Sequence, residues 1–206
     1  MTERTENFTD LELVDLVKKG ERKAFSTLVR RHQKALLRMS LRFMRDLDAA
    51  EDVVQDAFIK AYEKIESFEG RASFKSWLFQ IAVNTAKNKL RERRDVVDVD
   101  DVQLGVAPIA ESTLVCGSVS EILHKFVDEL PPRQKTALVL RVYEDLSFKE
   151  IAEVMECPYD TAKANYRHAL MKLKTDLEEH DELKKWTEEI GGFVMEMTRR
   201  VAEAES

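Results

Sequence analysis

Apolar residues in this 206-residue chain recur three, four and seven positions apart over long stretches, a spacing that favours helices over strands. Between Arg22 and Arg45 the residues Phe25, Leu28, Val29, Leu36 and Phe43 follow it and form one stripe to bury. Helix breakers are correspondingly few: glycine and proline number 6 and 4, about 5% of the chain where average usage is about 12%. The expectation is an all-α fold. Two cysteines, Cys116 and Cys157, are too few for a disulfide framework. No apolar run reaches the roughly 18 residues of a membrane span, and no apolar signal core opens the chain. These features lead us to expect a cytoplasmic protein without membrane insertion.

The periodicity divides the chain into segments. A first helix is expected from Thr9, where Thr9 and Glu12 can form a capping box, to Gly20. A second runs from Arg22 to Arg45. A third opens at Asp48 with Glu51, carries Val53, Val54, Ala57, Phe58, Ala61, Tyr62 and Ile65, and breaks at Phe68-Glu69-Gly70. A fourth begins near Ser73 and ends in the basic pair Arg93 and Arg94, completing a four-helix bundle over residues 1–94. From 95 to 116 the helical period disappears. That stretch reads as an acidic linker, although the alternation from Val97 to Asp100 would also suit a short strand.

A second domain follows over 117–177. It starts with Ser118 and Glu121 as a capping box, is interrupted by Pro131-Pro132, and continues through Ser147 and Glu150, a further capping box that opens FKEIAEVM. Cys157-Pro158 stops that helix, and Asp160 or Thr161 can cap a last one running to about Leu177. Two short helices across a tight turn have the pattern of a helix-turn-helix; an ordinary amphipathic pair has it too. Residues 178–206 form a C-terminal extension with no assigned role.

The net charge of -6 by itself disfavours a nucleic-acid partner, but the charges are segregated. Lys and Arg against Asp and Glu number 11 and 6 over residues 1–45, 2 and 8 over 46–69, 7 and 1 over 71–94, and 0 and 5 over 95–116. Alternating blocks of this kind suit a chain that touches several chemically different partners. With successive residues 100° apart, Trp77, Ile81, Asn84, Lys87, Asn88 and Arg91 share one side of the fourth helix. An aromatic to stack a base, amides to read its edge and cations to hold the backbone are what single-stranded nucleic acid requires. Trp77 and Ile81 would equally serve as core. Over residues 158–174 of the last helix, Lys163, Arg167, Lys172 and Lys174 stand against Asp160 alone, and Lys163, Asn165, Tyr166, Arg167 and His168 occupy the turns that would enter a major groove. Asp52, Gln55 and Asp56 lie on or near one face of the acidic third helix. No His, Cys or carboxylate cluster has metal spacing, and no phosphate loop or activated nucleophile can be named, so neither cofactor nor catalysis is expected.

Taken in order, DAAEDVVQDAFIKAYEKIESFEG, SFKSWLFQIAVNTAKNKLRERR, the acidic stretch and ELPPRQKTALVLRVYEDLSFKEIAEVMECPYDTAKANYRHALMKLK resemble an extracytoplasmic-function sigma factor, with IAVNTAKN closest to the envelope-stress sigma-E subgroup. The resemblance covers about residues 9 to 177. It implies that the first domain is sigma region 2 and the second is region 4, joined by a linker lying in the RNA path of the polymerase. It implies that Asp52, Gln55 and Asp56 bind core RNA polymerase. Trp77, Asn84, Lys87, Asn88 and Arg91 would then contact the minus-ten element, together with Phe68, Arg71 and Ser73 from a loop that captures a flipped base. Thr161, Lys163, Asn165, Tyr166, Arg167 and His168 would read the minus-35 element as duplex. Promoter DNA, duplex and melted, and an anti-sigma factor are the remaining partners implied. Where relatives often carry an arginine at the start of the recognition helix this chain has Asn165, and Gln80 and Ile81 stand where principal sigma factors place paired tryptophans. Rival readings are a stand-alone helix-turn-helix regulator, which gives the Trp77 to Arg91 surface no purpose, and a decoy for an anti-sigma factor, which gives Lys87, Arg91, Arg93 and Arg94 none.

Overall fold

A computed structural model describes residues 7–96 and 117–180, which belong to two compact units. Among the described residues all regular structure is helical. Most of the expected linker, including the alternation at Val97 to Asp100, and nearly all of the expected extension lie outside them.

In the first unit, α1 (Asp10–Lys18) is opened by the expected capping box: Thr9 Oγ1 accepts from the Glu12 N–H at 3.3 Å, and the Glu12 carboxylate accepts from the Thr9 N–H at 2.7 Å. Gly20, at φ 93°, turns the chain into α2 (Arg22–Met44). Arg45 ends α2 in the left-handed region, and the next residue, Asp46, is extended and caps α3 (Leu47–Glu63) by accepting from the Ala49 N–H at 2.7 Å. The cap is therefore Asp46 and not Asp48. Stopping α2 at Met44 places the extended residue two positions earlier, and Asp48 falls inside the first turn, where its charge favours the helix N-terminus. A single 3-10 turn, Ile65–Ser67, leads to a loop and then to α4 (Phe74–Val96), which runs on through residues 95 and 96.

Leu28, Leu36, Met39, Val53, Leu78, Phe79 and Val83 fill the core of this unit. Ala50, Ala57 and Ala61 on α3 and Ala82 and Ala86 on α4 are fully buried, so small side chains let these helices approach closely, and Lys60 Nζ donates across the seam to Thr85 Oγ1 at 3.0 Å. At the other side Asp10 accepts from His32 Nε2 at 2.7 Å and from Arg31, pinning α1 to α2. Arg31 also donates to the Phe8 carbonyl at 3.0 Å.

The second unit comprises α5 (Gly117–Asp128), α6 (Pro132–Val142), α7 (Phe148–Met155) and α8 (Tyr159–Glu179). α5 begins at Gly117, so Ser118 is already within the helix instead of standing outside it as the expected cap. Pro131 and Pro132 set the start of α6, whose Ala137, Leu138, Val139 and Leu140 are buried, and Lys135 reaches back to Asp128 at 2.8 Å. Ser147 and Glu150 make the expected capping box on α7. Glu156, at φ 51°, closes α7, and α8 then starts on Pro158 without a side-chain cap. Asp160 and Thr161 are thus first-turn residues. Proline fixes φ at a value the helix accepts, so α8 can begin before either reaches the capping position. Ala162, Tyr166, Ala169, Leu170, Leu173 and Leu177 form its buried stripe.

Burial pushes the Asp10 carboxyl up, but hydrogen bonds and charge from His32 and Arg31 outweigh it and hold the group below its ordinary value of 3.8. Stability from this contact is complete above that value and disappears as pH falls through the lowered one. Asp10→Asn is expected to cost the first unit about 1 kcal/mol at pH 7 and nothing once the wild-type carboxyl is protonated. Denaturant unfolding of both proteins across this range measures it, and a gap persisting unchanged in acid would contradict the assignment.

Candidate nucleic-acid interface

α4 is buried on one side only. Ser73 Oγ accepts from the Ser76 N–H at 3.0 Å and starts the helix; Phe74, Leu78, Phe79, Ala82, Val83 and Ala86 then face inward. On the opposite side Trp77, Ile81 and Asn84 are half-buried, and Lys87, Asn88 and Arg91 are exposed. One surface therefore holds the aromatic, both amides and two cations together. Trp77 is neither wholly core nor wholly surface: its ring leans on Phe68 at 4.9 Å and on Phe74 at 5.9 Å, and the residue is half-buried.

At the N-terminal end of this surface the loop before α4 forms an open pocket of about 170 Å³ lined by Ser67, Phe68, Glu69, Gly70, Arg71, Ala72 and Trp77. It is too small for a drug-sized molecule and suits one planar group. Gly70 takes φ 71°, a conformation that other residues seldom adopt, and so sets the bend of the rim. Glu69 and Arg71 pair at 2.7 Å, both exposed at the mouth, and Ser73 is likewise exposed. Phe68 is different. Only 4% exposed, it stacks edge-on to Phe74 at 5.9 Å and lines the pocket from its inner side, so any contact it offers lies within the pocket and not on the open surface. Residue 68 follows a 3-10 turn, and the tight turn directs its ring inward.

The acidic face of α3 lies beside α4. Gln55 is exposed, and the Asp52 and Asp56 carboxylates are 65% and 42% exposed. Lys89 of α4 reaches both, at 3.8 Å from Asp52 and 3.0 Å from Asp56. Sequence reasoning misses this link because it arises only where α3 and α4 pack side by side. It also misses Ile59, 56% exposed one turn beyond Gln55, which puts an apolar side chain inside an otherwise charged face.

In the second unit α7 and α8 present the expected helix-turn-helix pair, with Arg167 and His168 exposed and Thr161 and Lys163 half-buried. Two of the expected reading residues have partners within the unit. Tyr166 is 5% exposed with its ring 5.4 Å from that of Phe148, because it stands four residues after Ala162 and three before Ala169 on the buried stripe. Asn165 Nδ2 donates to the Thr161 carbonyl of its own helix at 2.8 Å. Tyr159, 50% exposed at the start of α8, and the exposed Lys149 on α7 were overlooked. An aromatic in a turn carries no periodic signal to direct it outward.

Among the described residues there is no cluster of His, Cys, Asp or Glu that could hold a metal, and no helix is long and apolar enough to cross a membrane.

Comparison with known proteins adds an independent line. The Sigma-70 region 2 model matches residues 28–96, and the Sigma-70, region 4 model matches residues 120–173. The RNA polymerase sigma-H factor of Pseudomonas aeruginosa is 38% identical over 167 residues, covering 75% of this chain and 86% of that protein. The ECF RNA polymerase sigma-E factor of Escherichia coli K12 is 37% identical over 172 residues, covering 78% and 90%. Among solved structures, the sigma factor RpoE from Bartonella quintana, in complex with the anti-sigma factor NepR, is similar with a TM-score of 0.61 and 26% identity, covering 76% of this chain and 98% of that one. CnrH, solved with the cytosolic domain of CnrY, shares the fold with a TM-score of 0.63 at 22% identity, covering 82% and 97%.

Burial separates the expected site residues into two classes that mutation can distinguish. Phe68→Ala and Tyr166→Ala are each expected to destabilise their unit by about 3 to 5 kcal/mol, while Arg71→Ala and Arg167→Ala stay within about 0.5 kcal/mol of wild type. Denaturant unfolding is the measurement, and a mild Phe68→Ala would overturn its role as the buried wall of the pocket.

Proposed function

This chain belongs to the extracytoplasmic-function sigma factors of RNA polymerase, and from that membership we propose how its surfaces share the work. It binds core RNA polymerase and directs promoter-specific initiation of transcription, without being an enzyme itself. In our reading residues 1–94 act as region 2, 95–116 as an acidic linker, and 117–177 as region 4.

The observation that carries the reading is the open side of α4 beside the pocket, with the acidic face of α3 next to it. Melted minus-ten DNA lies along Trp77, Asn84, Lys87, Asn88 and Arg91, with one base turned into the pocket between Trp77 and the Glu69–Arg71 rim. Extracting a base costs a few kcal/mol of stacking, and a pocket lined by aromatic rings returns about 1 to 3 kcal/mol per base by stacking it again. The cations hold phosphates, so binding weakens steeply with salt. Asp52, Gln55 and Asp56 bind a basic surface of core polymerase. Their negative field repels DNA from α3 and so favours the α4 side. Region 4 reads the minus-35 duplex through Thr161, Lys163, Arg167 and His168 at the start of α8, where first-turn N–H groups also favour phosphate. Asn165 and Tyr166 support that helix from within it. The linker, without a cation over 95–116, occupies a nucleic-acid channel of the polymerase as an anionic stand-in. The protein works in the cytoplasm. It is held inactive by an anti-sigma factor, a reading supported by the likeness to a sigma factor solved in such a complex.

Run-off transcription with core enzyme, with and without the chain, tests this reading. A promoter-specific product supports it. Binding to duplex operator without any product would instead favour a stand-alone regulator, and neither activity would favour a decoy. Asp52→Lys with Asp56→Lys is expected to abolish co-purification with core, whereas Asn84→Ala is expected to weaken or relax minus-ten recognition by about 1 to 3 kcal/mol. Unchanged core association in the first variant, or unchanged promoter preference in the second, would remove the corresponding residues from the site.

A further inference from the structure

The region 2 match begins at residue 28, so it assigns nothing to α1, yet α1 bonds the pocket loop at one point and lies close to it at a second. Lys18 Nζ, half-buried at the end of α1, donates to the carbonyl of Phe68 at 2.7 Å, fifty residues away in sequence. Seven residues earlier on the same face of that helix, Leu11 Cδ2 stands 3.5 Å from the position a Cβ would take on Gly70. The Phe68 peptide is thus gripped from two directions, because its N–H already donates to the Ile65 carbonyl at 3.1 Å. α1 is itself anchored. Leu13, Val14 and Val17 are buried, and Asp10 holds His32, whose ring lies 5.6 Å from that of Phe74, the ring packed edge-on against Phe68.

We infer that Lys18 is a positioning residue for the base-capture loop: its ammonium fixes the Phe68 carbonyl and so keeps the loop shaped for an unstacked base before DNA arrives. This rests on reading the pocket as the base-capture site. A charged donor on a half-buried carbonyl forms a strong hydrogen bond. The sequence alone gives Lys18 a weaker purpose, a cation favoured in the last turn of a helix. That purpose would be met by an ammonium in solvent and does not require it to reach Phe68. Without the strut, residues 69–73 would have to be ordered when the base enters, and ordering at that step subtracts from affinity for the captured base alone. The bases read along α4 would be unaffected, since Asn84 and Arg91 are set by the helix.

The test uses the full chain assembled with core polymerase on a promoter fragment that the wild-type holoenzyme transcribes. An abasic site replaces each nontemplate nucleotide of the minus-ten element in turn. For wild type, the ratio of intact to abasic binding identifies the captured position. Lys18→Met keeps the length and apolar stem of the side chain and is expected to lower that ratio about tenfold at the captured position only. Lys18→Arg, which still donates, is expected to restore it. A ratio unchanged in Lys18→Met, a loss spread evenly over all positions, or no restoration by Lys18→Arg would overturn the inference. So would a Lys18→Met chain that fails to fold, because the contact would then serve the fold as a whole. If wild type itself shows no position sensitive to base removal, the capture reading fails first, and that result is distinct from the others.

Discussion

One-sided burial of α4 is the constraint on which the other features depend. The helix supplies Leu78, Phe79, Ala82, Val83 and Ala86 to the core, so its orientation about its own axis is set by packing to interior density. A helix so fixed presents its opposite side with the same precision, and Trp77, Asn84, Asn88 and Arg91 come to lie in one row without needing bonds to one another. Rotating α4 by one residue would bury Asn84 and expose Val83, at a cost in both desolvation and lost apolar contact. The reading surface therefore takes its rigidity from the core behind it. The pocket extends the same logic, because its Phe68 wall packs on Phe74 and belongs to that core.

The electrostatic blocks seen along the chain acquire a second meaning in three dimensions. α3 and α4 carry opposite charge and pack side by side, and Lys89 spans the seam to Asp52 and Asp56. Surface pairs of this exposure contribute at most about 1 kcal/mol, so Lys89 is not what holds the helices together; the buried alanines do that. Its effect is on the field. A cation placed between two carboxylates lowers the local negative potential at the face proposed for core polymerase. Ile59, exposed on that face, adds an apolar contact whose strength does not fall with salt.

The sequence was most informative where the chemistry is local. The capping boxes at Thr9 and Ser147, the proline start of α6 and the span of α7 are settled by residues within four positions of one another, and each forms as expected. That Trp77, Ile81, Asn84, Lys87, Asn88 and Arg91 share one side of α4 was legible for a related reason, since periodicity is itself a local signal. The misreadings come where two local signals compete. Asp46 and Asp48 are both good caps, and the choice between them depends on where α2 ends. Tyr166 has a polar tip and an apolar body, and only the packing of α6 and α7 against α8 decides that its ring goes inward. Phe68 and Lys18 belong to a third group. Their meeting joins residues fifty apart through the backbone of a loop, and neither residue's surroundings in sequence carry any trace of it.

The size of the pocket and the scarcity of aromatics on the open face of α4 bear on how the proposed function would achieve selectivity. Trp77 is the single aromatic on the described open face of α4, and Gln80 and Ile81 stand where a second stacking platform could have been. Restacking one base returns about 1 to 3 kcal/mol against an extraction cost of a few, so the exchange is close to balanced before any hydrogen bond is counted. In a balanced exchange the edge contacts decide the sign. A base that matches the Glu69–Arg71 rim is captured, and one that leaves those groups unpaired forfeits about 1 to 3 kcal/mol and stays stacked. A chain with a large stacking surface would open many sequences and discriminate among few. One with a single stacking ring opens only those whose bases supply the remaining free energy themselves, and promoter selectivity then follows from the weakness of the melting machinery.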